Sequence, residues 1–505
     1  MSNPKVIMID LLSTRLDKLR AEGKSIGLSH GVFDLVHPGH IQHFIAAKKL
    51  VDVLVVSITS DSFVNKGPGR PVFSQEVRLE TLAALEAVDF VTLSNAPTSE
   101  GLIHRIQPDV YFKGSDYKNP ADDPTGKINA ERATLESYGG RIHFTDEITS
   151  SSSKLLNQFY NSFPPDTQSW LKLFKEKYGY ETTCSYLDKI QELDVVITGE
   201  IIIDQYTSVN ALAKSSKDPL LAFQRGQTET FAGGVLAIAN NCASWVKSVK
   251  VISFKGIDDV FTNNLSLFLN PKIQLKLVDI ESRPTVLKHR FVDTNSKVRV
   301  FEYYDFVEEF ILDSELTSIL KQYKDVSKED IILVADYGHG LVTPGYIEFL
   351  TGRENFLAIN TQANAGNRGY NTISKYVRAD FFTLNSGELD LELRSRNPDY
   401  FRVVPEIMEK LGAENAVITL GAEGLIAFDS NLPCLVPALA SKIVDKVGAG
   451  DSVFAIGSLL ARVGAPAQVV GIICNIVAAH EISQLGHRSS LEIGDIKKQL
   501  KSLLG

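Results

Sequence analysis

The repeated alternation of short apolar runs with helix-like segments most constrains how this chain can fold. Residues 53–58 (VLVVSI) are typical of a buried strand, and residues 74–87 have the apolar spacing of an amphipathic helix. Strands that alternate with helices are typical of parallel, doubly wound sheets, so the sequence predicts an α/β fold. The same rhythm returns in the second half, with strand-like runs at residues 249–254, 331–335, 356–359 and 416–420.

The chain is too long for one core, because single cores stop growing near about 250–300 residues and this chain has 505. A polar, aromatic stretch divides it, and Pro164-Pro165 blocks continuation of a helix there. Residues 273–309 are rich in β-branched types and predict strands beside the second sheet. We therefore predict a Rossmann-like domain over residues 1–165, a linker over 166–192 and a larger doubly wound α/β domain over 193–505.

Charge and composition narrow the class of partner. A formal charge of -9 at pH 7 offers no general attraction for nucleic acid or an anionic membrane. The N-terminus lacks a signal-peptide pattern, and apolar runs fall short of the ~20 residues of a bilayer span. The 4 cysteines lie far apart without a CxxC pair, which suits a reducing compartment. We expect a cytoplasmic protein that acts on small molecules, and the sequence leaves a homo-oligomer open.

The first chemical motif is HGVFDLVHPGH over residues 30–40, between a strand-like run and a helix-like segment. Gly31 and Gly39 let the backbone approach a ligand. Imidazoles at His37 and His40, beside the amides of a helix start, can stabilise charge on a triphosphate under attack. The motif alone also fits an ordinary loop.

GVFDLVHPGH resembles the signature of the cytidylyltransferase-like nucleotidyltransferases, and the resemblance continues through GRPVFSQEVRLETLAALEAVDFV and IQPDVYFKGSDY to the serines at 150–153. These stretches look like the adenylyltransferase half of the bifunctional heptose-7-phosphate kinase/heptose-1-phosphate adenylyltransferases. The resemblance implies attack of a sugar-phosphate oxygen on the α-phosphorus of ATP, with CTP as the alternative, assisted by Mg²⁺. For the lysines, simple solvation of the surface is the alternative. The resemblance places these residues at the nucleotide: Gly31, Phe33, Asp34, His37, His40, Lys49, Lys66, Lys113, Gly114, Asp116, Ser151 and Ser152.

The second motif is GAGD, which lies directly before a helix-like segment. The amides of Gly448, Ala449 and Gly450 can form an anion hole for a transferring phosphoryl group. Asp451 is the candidate general base, since a carboxylate at a helix start is favoured in its ionised form. By itself, GAGD also fits a tight turn with a capping aspartate.

The order of FAGG, NSGE, TLGAEG and GAGD resembles that of the ribokinase-like (PfkB) sugar kinases, and RPTVLKHR and ADYGHG resemble the heptose kinase half. The resemblance implies a sugar or sugar phosphate and ATP as substrates, with Glu388 organising Mg²⁺. It places Asp204, Gly233 and Gly234 beside the sugar. At the nucleotide it places Asn385, Glu388, Thr419, Gly421, Gly424, Gly448, Ala449, Gly450 and the catalytic Asp451.

Several features depart from that pattern. The two halves are in swapped order, since the kinase comes first in the familiar bifunctional enzyme. The usual GD is Gly199-Glu200, Ala237 replaces an asparagine of GGAAN, and His339 replaces a lysine usual in the heptose kinases. Residues 360–380, rich in amides and glycine, form either a substrate or nucleotide loop or a polar surface loop.

These observations predict a bifunctional enzyme: a kinase for a sugar, heptose first, and a sugar-phosphate nucleotidyltransferase that makes a nucleotide-activated sugar. The alternative is a nucleotidyltransferase for a non-sugar phosphate such as glycerol phosphate, with a divergent or non-catalytic kinase-like module.

Overall fold

The protein forms two compact units, Met1–Lys175 with Gly494–Gly505, and Glu176–Ile493. Each unit has its own sheets flanked by helices, which confirms the predicted α/β class. The computed structural model describes residues 3–64, 70–96, 98–114, 127–145, 163–215, 218–257, 262–440, 443–445, 447–483 and 491–504.

Within the described residues, the first unit contains a five-stranded parallel sheet of order β3-β2-β1-β4-β5. Its strands are β1 (Ile26–Gly31), β2 (Val53–Thr59), β3 (Phe90–Ser94), β4 (Val110–Gly114) and β5 (Arg141–Thr145). Its helices are α1 (Ile9–Ala21), α2 (Pro38–Lys48), α3 (Gln75–Ala83), α4 (Glu100–Ile106) and α5 (Lys127–Glu136). The strand order reverses between β1 and β4, and ligands bind beyond the carboxyl ends of strands at such a switch point.

Burial explains the continuous apolar run at the start of β2. Leu54, Val55 and Val56 of β2 are fully buried although they point alternately to opposite faces. Helices cover both faces of a parallel sheet, so a continuous apolar run is required rather than an alternating one.

Two helices occupy the segment for which the sequence predicts a linker, α6 (Pro165–Lys177) and α7 (Gly179–Ile190). Helix α6 begins at Pro165, a position where proline is tolerated because the first helical N–H has no partner within the helix. The domain limits drawn from sequence stay a prediction.

The described part of the second unit has a nine-stranded sheet and a four-stranded sheet. The large sheet has the order β10-β9-β6-β13-β14-β15-β16-β17-β18, and its last two strands are antiparallel to their neighbours. The small sheet has the order β12-β11-β7-β8. The strands are β6 (Asp194–Gly199), β7 (Ile201–Lys214), β8 (Leu221–Gly234), β9 (Ser248–Gly256), β10 (Ile273–Ile280), β11 (Val286–Asp293), β12 (Arg299–Asp305), β13 (Ile331–Asp336), β14 (Phe356–Thr361), β15 (Phe381–Asn385), β16 (Asn415–Thr419), β17 (Leu425–Phe428) and β18 (Cys434–Val436).

The segment predicted to form strands beside the second sheet does so in two places. Strand β10 extends the edge of the large sheet, parallel to β9, whereas β11 and β12 belong to the small sheet. The helices of this unit are α8 (Val235–Ala243), α9 (Asp313–Leu320), α10 (Pro344–Thr351), α11 (Ser386–Leu393), α12 (Tyr400–Leu411), α13 (Ala449–Arg462) and α14 (Ala467–Glu481). The last helix, α15 (Ile493–Leu504), belongs from Gly494 onward to the first unit. None of the described helices combines the length and the apolar character that a bilayer crossing requires.

Candidate active sites

The two histidines of HPGH come together at the start of α2. Nδ1 of His37 accepts the N–H of Gly39 at 3.1 Å, and Nδ1 of His40 accepts the N–H of His37 at 3.4 Å. The ring centroids lie 3.9 Å apart. Because each Nδ1 accepts a hydrogen bond, a neutral ring carries its proton on Nε2, the tautomer that can donate to a phosphoryl oxygen.

Gly31 and Phe33 shape the turn that leads into this helix. Phe33 has a left-handed backbone, with φ of 48°, and its ring packs edge-on against His40 with centroids 5.2 Å apart. A Cβ on Gly31 would lie 3.1 Å from that ring. These two residues therefore support the histidine pair.

Asp34 is buried and bound to protein rather than turned towards a ligand. Its Oδ1 accepts the N–H groups of Val72 and Phe73 at 2.8 and 3.1 Å, and its Oδ2 pairs with Arg70 at 3.1 Å. The carboxylate therefore holds the segment that precedes α3 against the HPGH turn.

Arg78 is a residue that sequence reasoning missed. Its guanidinium is buried and donates to the carbonyls of Val32 at 2.6 Å and Thr59 at 2.9 Å, and it pairs with Asp61 at 2.5 Å. It thereby ties together the loops that follow β1 and β2. The only signal was a basic residue on the inner face of the α3 helical pattern.

Lys113 and Gly114 lie at the carboxyl end of β4, the strand beside β1. The Lys113 ammonium pairs with Oε2 of Glu131 at 2.7 Å, and Glu131 also accepts hydrogen bonds from Tyr111 and Ser99. These contacts fix the cation beside the crevice at the switch point.

Lys49 is not brought to this site. It is exposed at the end of α2 opposite His37, and at ~1.5 Å per residue the helix separates the two by roughly 18 Å. Lys66, Asp116, Ser151 and Ser152 lie outside the described residues.

GAGD begins a helix in the second unit, as its pattern predicts. Gly448 is the N-cap of α13 with φ of 88°, and Asp451 lies in the first turn with 7% of its surface exposed. The backbone N–H groups of Ala449 and Gly450 belong to that first turn. The hydroxyl of Tyr337 donates to Oδ1 of Asp451 at 2.8 Å.

The predicted sugar-binding residues gather on the small sheet. Asp204 on β7 forms a buried ion pair with Arg290 on β11. A Cβ on Gly233 would collide with Oδ2 of Asp204, and Gly234 has φ of 59°. Both glycines are therefore required by the backbone and by the neighbouring carboxylate.

Lys288 was not singled out from sequence. It lies opposite Asp204 across the β7–β11 pair, with its ammonium 5.4 Å from the Tyr304 ring and 5.8 Å from the Tyr337 ring. Among the described residues it forms no hydrogen bond or ion pair, and burial lowers its pKa. The signal was its spacing of two from Arg290, which places both on one face of a strand.

Glu200, at the position of a usual aspartate, holds a loop. It is fully buried and accepts the N–H groups of Tyr337, His339 and Leu341 at 3.1, 3.0 and 3.2 Å. Burial, with a contribution from Asp336, raises the pKa of Glu200 to about 7.

Asn385 and Thr419 meet at the carboxyl ends of β15 and β16, where they are paired in register. Asn385 and Glu388 form a reciprocal capping box at the start of α11. The other oxygen of Glu388 accepts the N–H of Ala363 at 3.2 Å, and burial raises the pKa of Glu388 to about 7.

Two glycines shape the turn after β16. Gly421 and Gly424 have φ of 62° and 104°, and a Cβ on Gly424 would collide with the carbonyl of Val436. The side-chain amides of Asn364 and Asn367 both donate to the carbonyl of Tyr337, at 2.7 and 2.8 Å. The amide-rich segment therefore contacts the β13 loop.

Few protein side chains are placed to act as ligands for Mg²⁺. Among the described residues, no group of three or more histidine, cysteine or acidic side chains is suited to a metal ion. The two oxygens of Glu388 carry more acceptor positions than their backbone bonds use, so they can accept a water of a hydrated ion. Mg²⁺ in phosphoryl-transfer sites commonly keeps several waters and binds mainly to phosphates, which fits this site.

In comparisons with known proteins, two different families match separate parts of the chain. Residues 28–158 match the Cytidylyltransferase-like family. The "Bifunctional protein HldE" of Hahella chejuensis is 38% identical over 147 residues, which are 29% of each chain. That of Nitrobacter hamburgensis is 46% identical over 110 residues, 21% of this chain and 22% of the relative. The chain thus matches less than a third of the length of these relatives, in its N-terminal domain.

The second unit has its own matches. Phosphofructokinase-2 from Escherichia coli, solved in complex with substrates and products, superposes with a TM-score of 0.51 at 16% identity, covering 62% of this chain and 99% of that chain. At this identity the likeness shows the fold. Residues 192–463, more than half of the sequence, match the pfkB family carbohydrate kinases. The chain therefore belongs to the pfkB family of carbohydrate kinases and carries a cytidylyltransferase-like domain before its kinase domain.

Proposed function

We propose that this protein is a bifunctional enzyme that phosphorylates a sugar or sugar phosphate at its anomeric hydroxyl and then transfers a nucleotidyl group to that product. Heptose is the sugar class to test first, because RPTVLKHR, ADYGHG and the N-terminal motifs resemble heptose enzymes. The observation that carries the proposal is the buried Asp451 at the start of α13, in a chain that also pairs His37 and His40 at the start of α2.

The kinase step follows from the surroundings of Asp451. The sugar hydroxyl attacks the γ-phosphorus of ATP, its proton passes to the Asp451 carboxylate, and ADP leaves. The N–H groups at the start of α13 face the charge that develops on the transferring phosphoryl group. Asp204, Gly233 and Gly234 hold the sugar.

Two hydrogen-bond donors beside the kinase site favour a sugar substrate that carries an anionic group. The Lys288 ammonium has no acceptor among the described residues, and buried Nδ1 of His339 has no hydrogen-bond partner there. Burial, together with Lys288, lowers the pKa of His339 to about 3, so its ring is neutral at physiological pH. A phosphate on the sugar satisfies both donors, because unpaired buried polar groups are costly.

The first site supports nucleotidyl transfer. An oxygen of the sugar 1-phosphate attacks the α-phosphorus of a nucleoside triphosphate, and pyrophosphate leaves. Nε2–H groups of His37 and His40 and the N-terminal amides of α2 stabilise the negative charge, with Lys113 at the neighbouring strand. Lys66, Asp116, Ser151 and Ser152 are assigned to the same nucleotide on the resemblance alone.

Mg²⁺ would neutralise phosphate charge at both sites, and at the kinase site Glu388 would hold one of its waters. ATP serves the kinase, and ATP or CTP the transferase. The protein's own contribution is to position the reacting oxygens and to supply hydrogen bonds where charge develops.

One assay tests both halves. The protein is incubated with Mg²⁺, ATP or CTP, and a panel of sugars, sugar phosphates and glycerol phosphate, while mass spectrometry follows ADP and pyrophosphate separately. We expect ADP with a heptose or its phosphate, and pyrophosphate only after an anomeric phosphate exists. Pyrophosphate release with glycerol phosphate and no ADP with any acceptor would instead establish the alternative, a non-sugar transferase with a non-catalytic kinase-like module.

A further inference from the structure

The hydroxyl of Tyr337 donates a hydrogen bond to Oδ1 of Asp451 at 2.8 Å. Both side chains are buried, with exposed fractions of 2% for Tyr337 and 7% for Asp451. Burial, with a contribution from Asp451, raises the pKa of Tyr337 well above its usual value. The phenol therefore stays protonated and remains a donor at every working pH.

The backbone of Tyr337 is fixed on both sides. Its N–H donates to Oε2 of Glu200 at 3.1 Å, and its carbonyl accepts the side-chain amides of Asn364 and Asn367. Oε1 of Glu200 holds the next turn of the loop through His339. These bonds satisfy the buried peptide groups of Tyr337 and hold its backbone in place.

The position after Tyr337 also requires glycine. Gly338 has φ of 67°, and a Cβ there would collide with the side-chain amide of Asn367. The close approach lets the amide reach the carbonyl of Tyr337. The amide-rich segment thus supports the loop that carries the tyrosine.

We propose that Tyr337 is a positioning residue that fixes the rotation of the Asp451 carboxylate, and that Glu200, Asn364 and Asn367 form the frame that aims its hydroxyl. The proposal rests on the kinase function proposed above. A general base must point at the proton that it accepts, and a misplacement of about 1 Å can cost on the order of 100-fold in rate.

Tyr337→Phe tests the proposal, because it removes one hydroxyl and keeps the ring. We expect kcat for ADP formation to fall by roughly 10-fold to 100-fold, the range for a hydrogen bond to a charged group, while KM for ATP and acceptor stays within about threefold. Tyr346→Phe is the matched control: its hydroxyl is equally buried but bonds to Thr198 and Tyr323 in the core. The control should retain wild-type kcat.

The pH profile separates positioning from a purely structural role. Among the described residues, the charged and titratable groups that interact with Asp451 include Tyr337 after β13, Lys288 on β11 and Glu388 on α11. Loss of a donor to a carboxylate disfavours its ionised form, so the acid limb of the kcat profile of Tyr337→Phe should move to higher pH. Loss of packing alone would lower stability without moving that limb.

A second variant keeps the proposal testable if Tyr337→Phe does not fold. Asn367→Ala removes one amide from the Tyr337 carbonyl and should lower kcat less than Tyr337→Phe, again without a large change in KM. Wild-type kcat and an unmoved acid limb in Tyr337→Phe, or a change in KM alone, would overturn the proposal. Absence of ADP formation by the wild-type protein with every acceptor would instead overturn the kinase function itself.

Discussion

His37 and His40 both start helix α2 and serve as candidate catalytic residues. Both rings use Nδ1 to accept backbone N–H groups, so the capping arrangement of α2 also selects the tautomer that donates from Nε2. The same residues thus start the helix and face its positive end. At the second site, Asp451 similarly lies in the first turn of a helix, but its partner Tyr337 comes from the loop after β13.

His40→Ala should abolish pyrophosphate release while leaving ADP formation nearly unchanged. Loss of one charge-stabilising donor typically costs on the order of 10²–10³ in rate, and the kinase residues lie in a separate compact unit. The two products are measured in the same reaction. His104→Ala, which removes an exposed histidine of α4, is the matched control. Wild-type pyrophosphate release by His40→Ala would show that the HPGH turn is only structural.

At the scale of elements, strand ends and the loops after them position the kinase residues. Glu200, between β6 and β7, bonds to the loop after β13, and Asp204 on β7 pairs with Arg290 on β11. Asp445, in the loop before α13, contacts Tyr206 and Arg299 of the small sheet. The small sheet and the loop before α13 are therefore linked through the buried carboxylate of Asp445.

Glu200→Gln should change how the stability of the second unit depends on pH. Folded Glu200 keeps its proton up to its raised pKa of about 7, whereas the unfolded chain releases it near 4.5. Between these values the native state binds more protons than the unfolded chain does, so the free energy of unfolding of the wild type falls as the pH rises. The decrease is complete above about pH 7. The variant lacks this titration. Its free energy of unfolding relative to wild type should therefore rise from pH 4.5 to pH 8.

The two tryptophans make this measurable. Trp245 is buried in the second unit and Trp170 belongs to the first, so in a Trp170→Phe background urea unfolding followed by fluorescence reports the second unit. Glu329→Gln, at an exposed position, provides the control. A stability difference between Glu200→Gln and wild type that is the same at both pH values would contradict the expectation.

At the scale of the whole molecule, one chain carries two compact units with separate sheets and separate candidate sites. The order is cytidylyltransferase-like first and pfkB second. A fused pair of activities suggests that the product of one is the substrate of the other, and that relation can be tested without reference to the arrangement of the units.

Asp451→Asn should stop ADP formation, with a loss of about 10²–10⁴-fold, and with it nucleotide-sugar formation from an acceptor with a free anomeric hydroxyl. Supplying the anomeric phosphate should restore nucleotide-sugar formation, because His37 and His40 are untouched. Mixing Asp451→Asn with His40→Ala should also restore it, since each variant retains one activity. Failure of every sugar 1-phosphate, with direct acceptance of glycerol phosphate, would refute the sequential pathway.

Local sequence patterns predicted much of this protein's architecture. The alternation of apolar runs and helical segments predicted the α/β class, because burial on both faces of a parallel sheet requires it. HPGH and GAGD predicted helix starts, since their residues contact one another within three or four positions along the chain. The family resemblances placed both motifs in the matched domains.

The partners of those motifs depended on strand order, which no local pattern contains. Tyr337 reaches Asp451 across 114 positions, Arg290 reaches Asp204 across 86, and Glu200 reaches His339 across 139. The sequence by itself determined which residues start the helices and which runs are buried. Only the tertiary structure decided that Glu200 and the amide-rich segment serve the Tyr337 loop, because side-chain contacts follow from which strands and loops become neighbours in space.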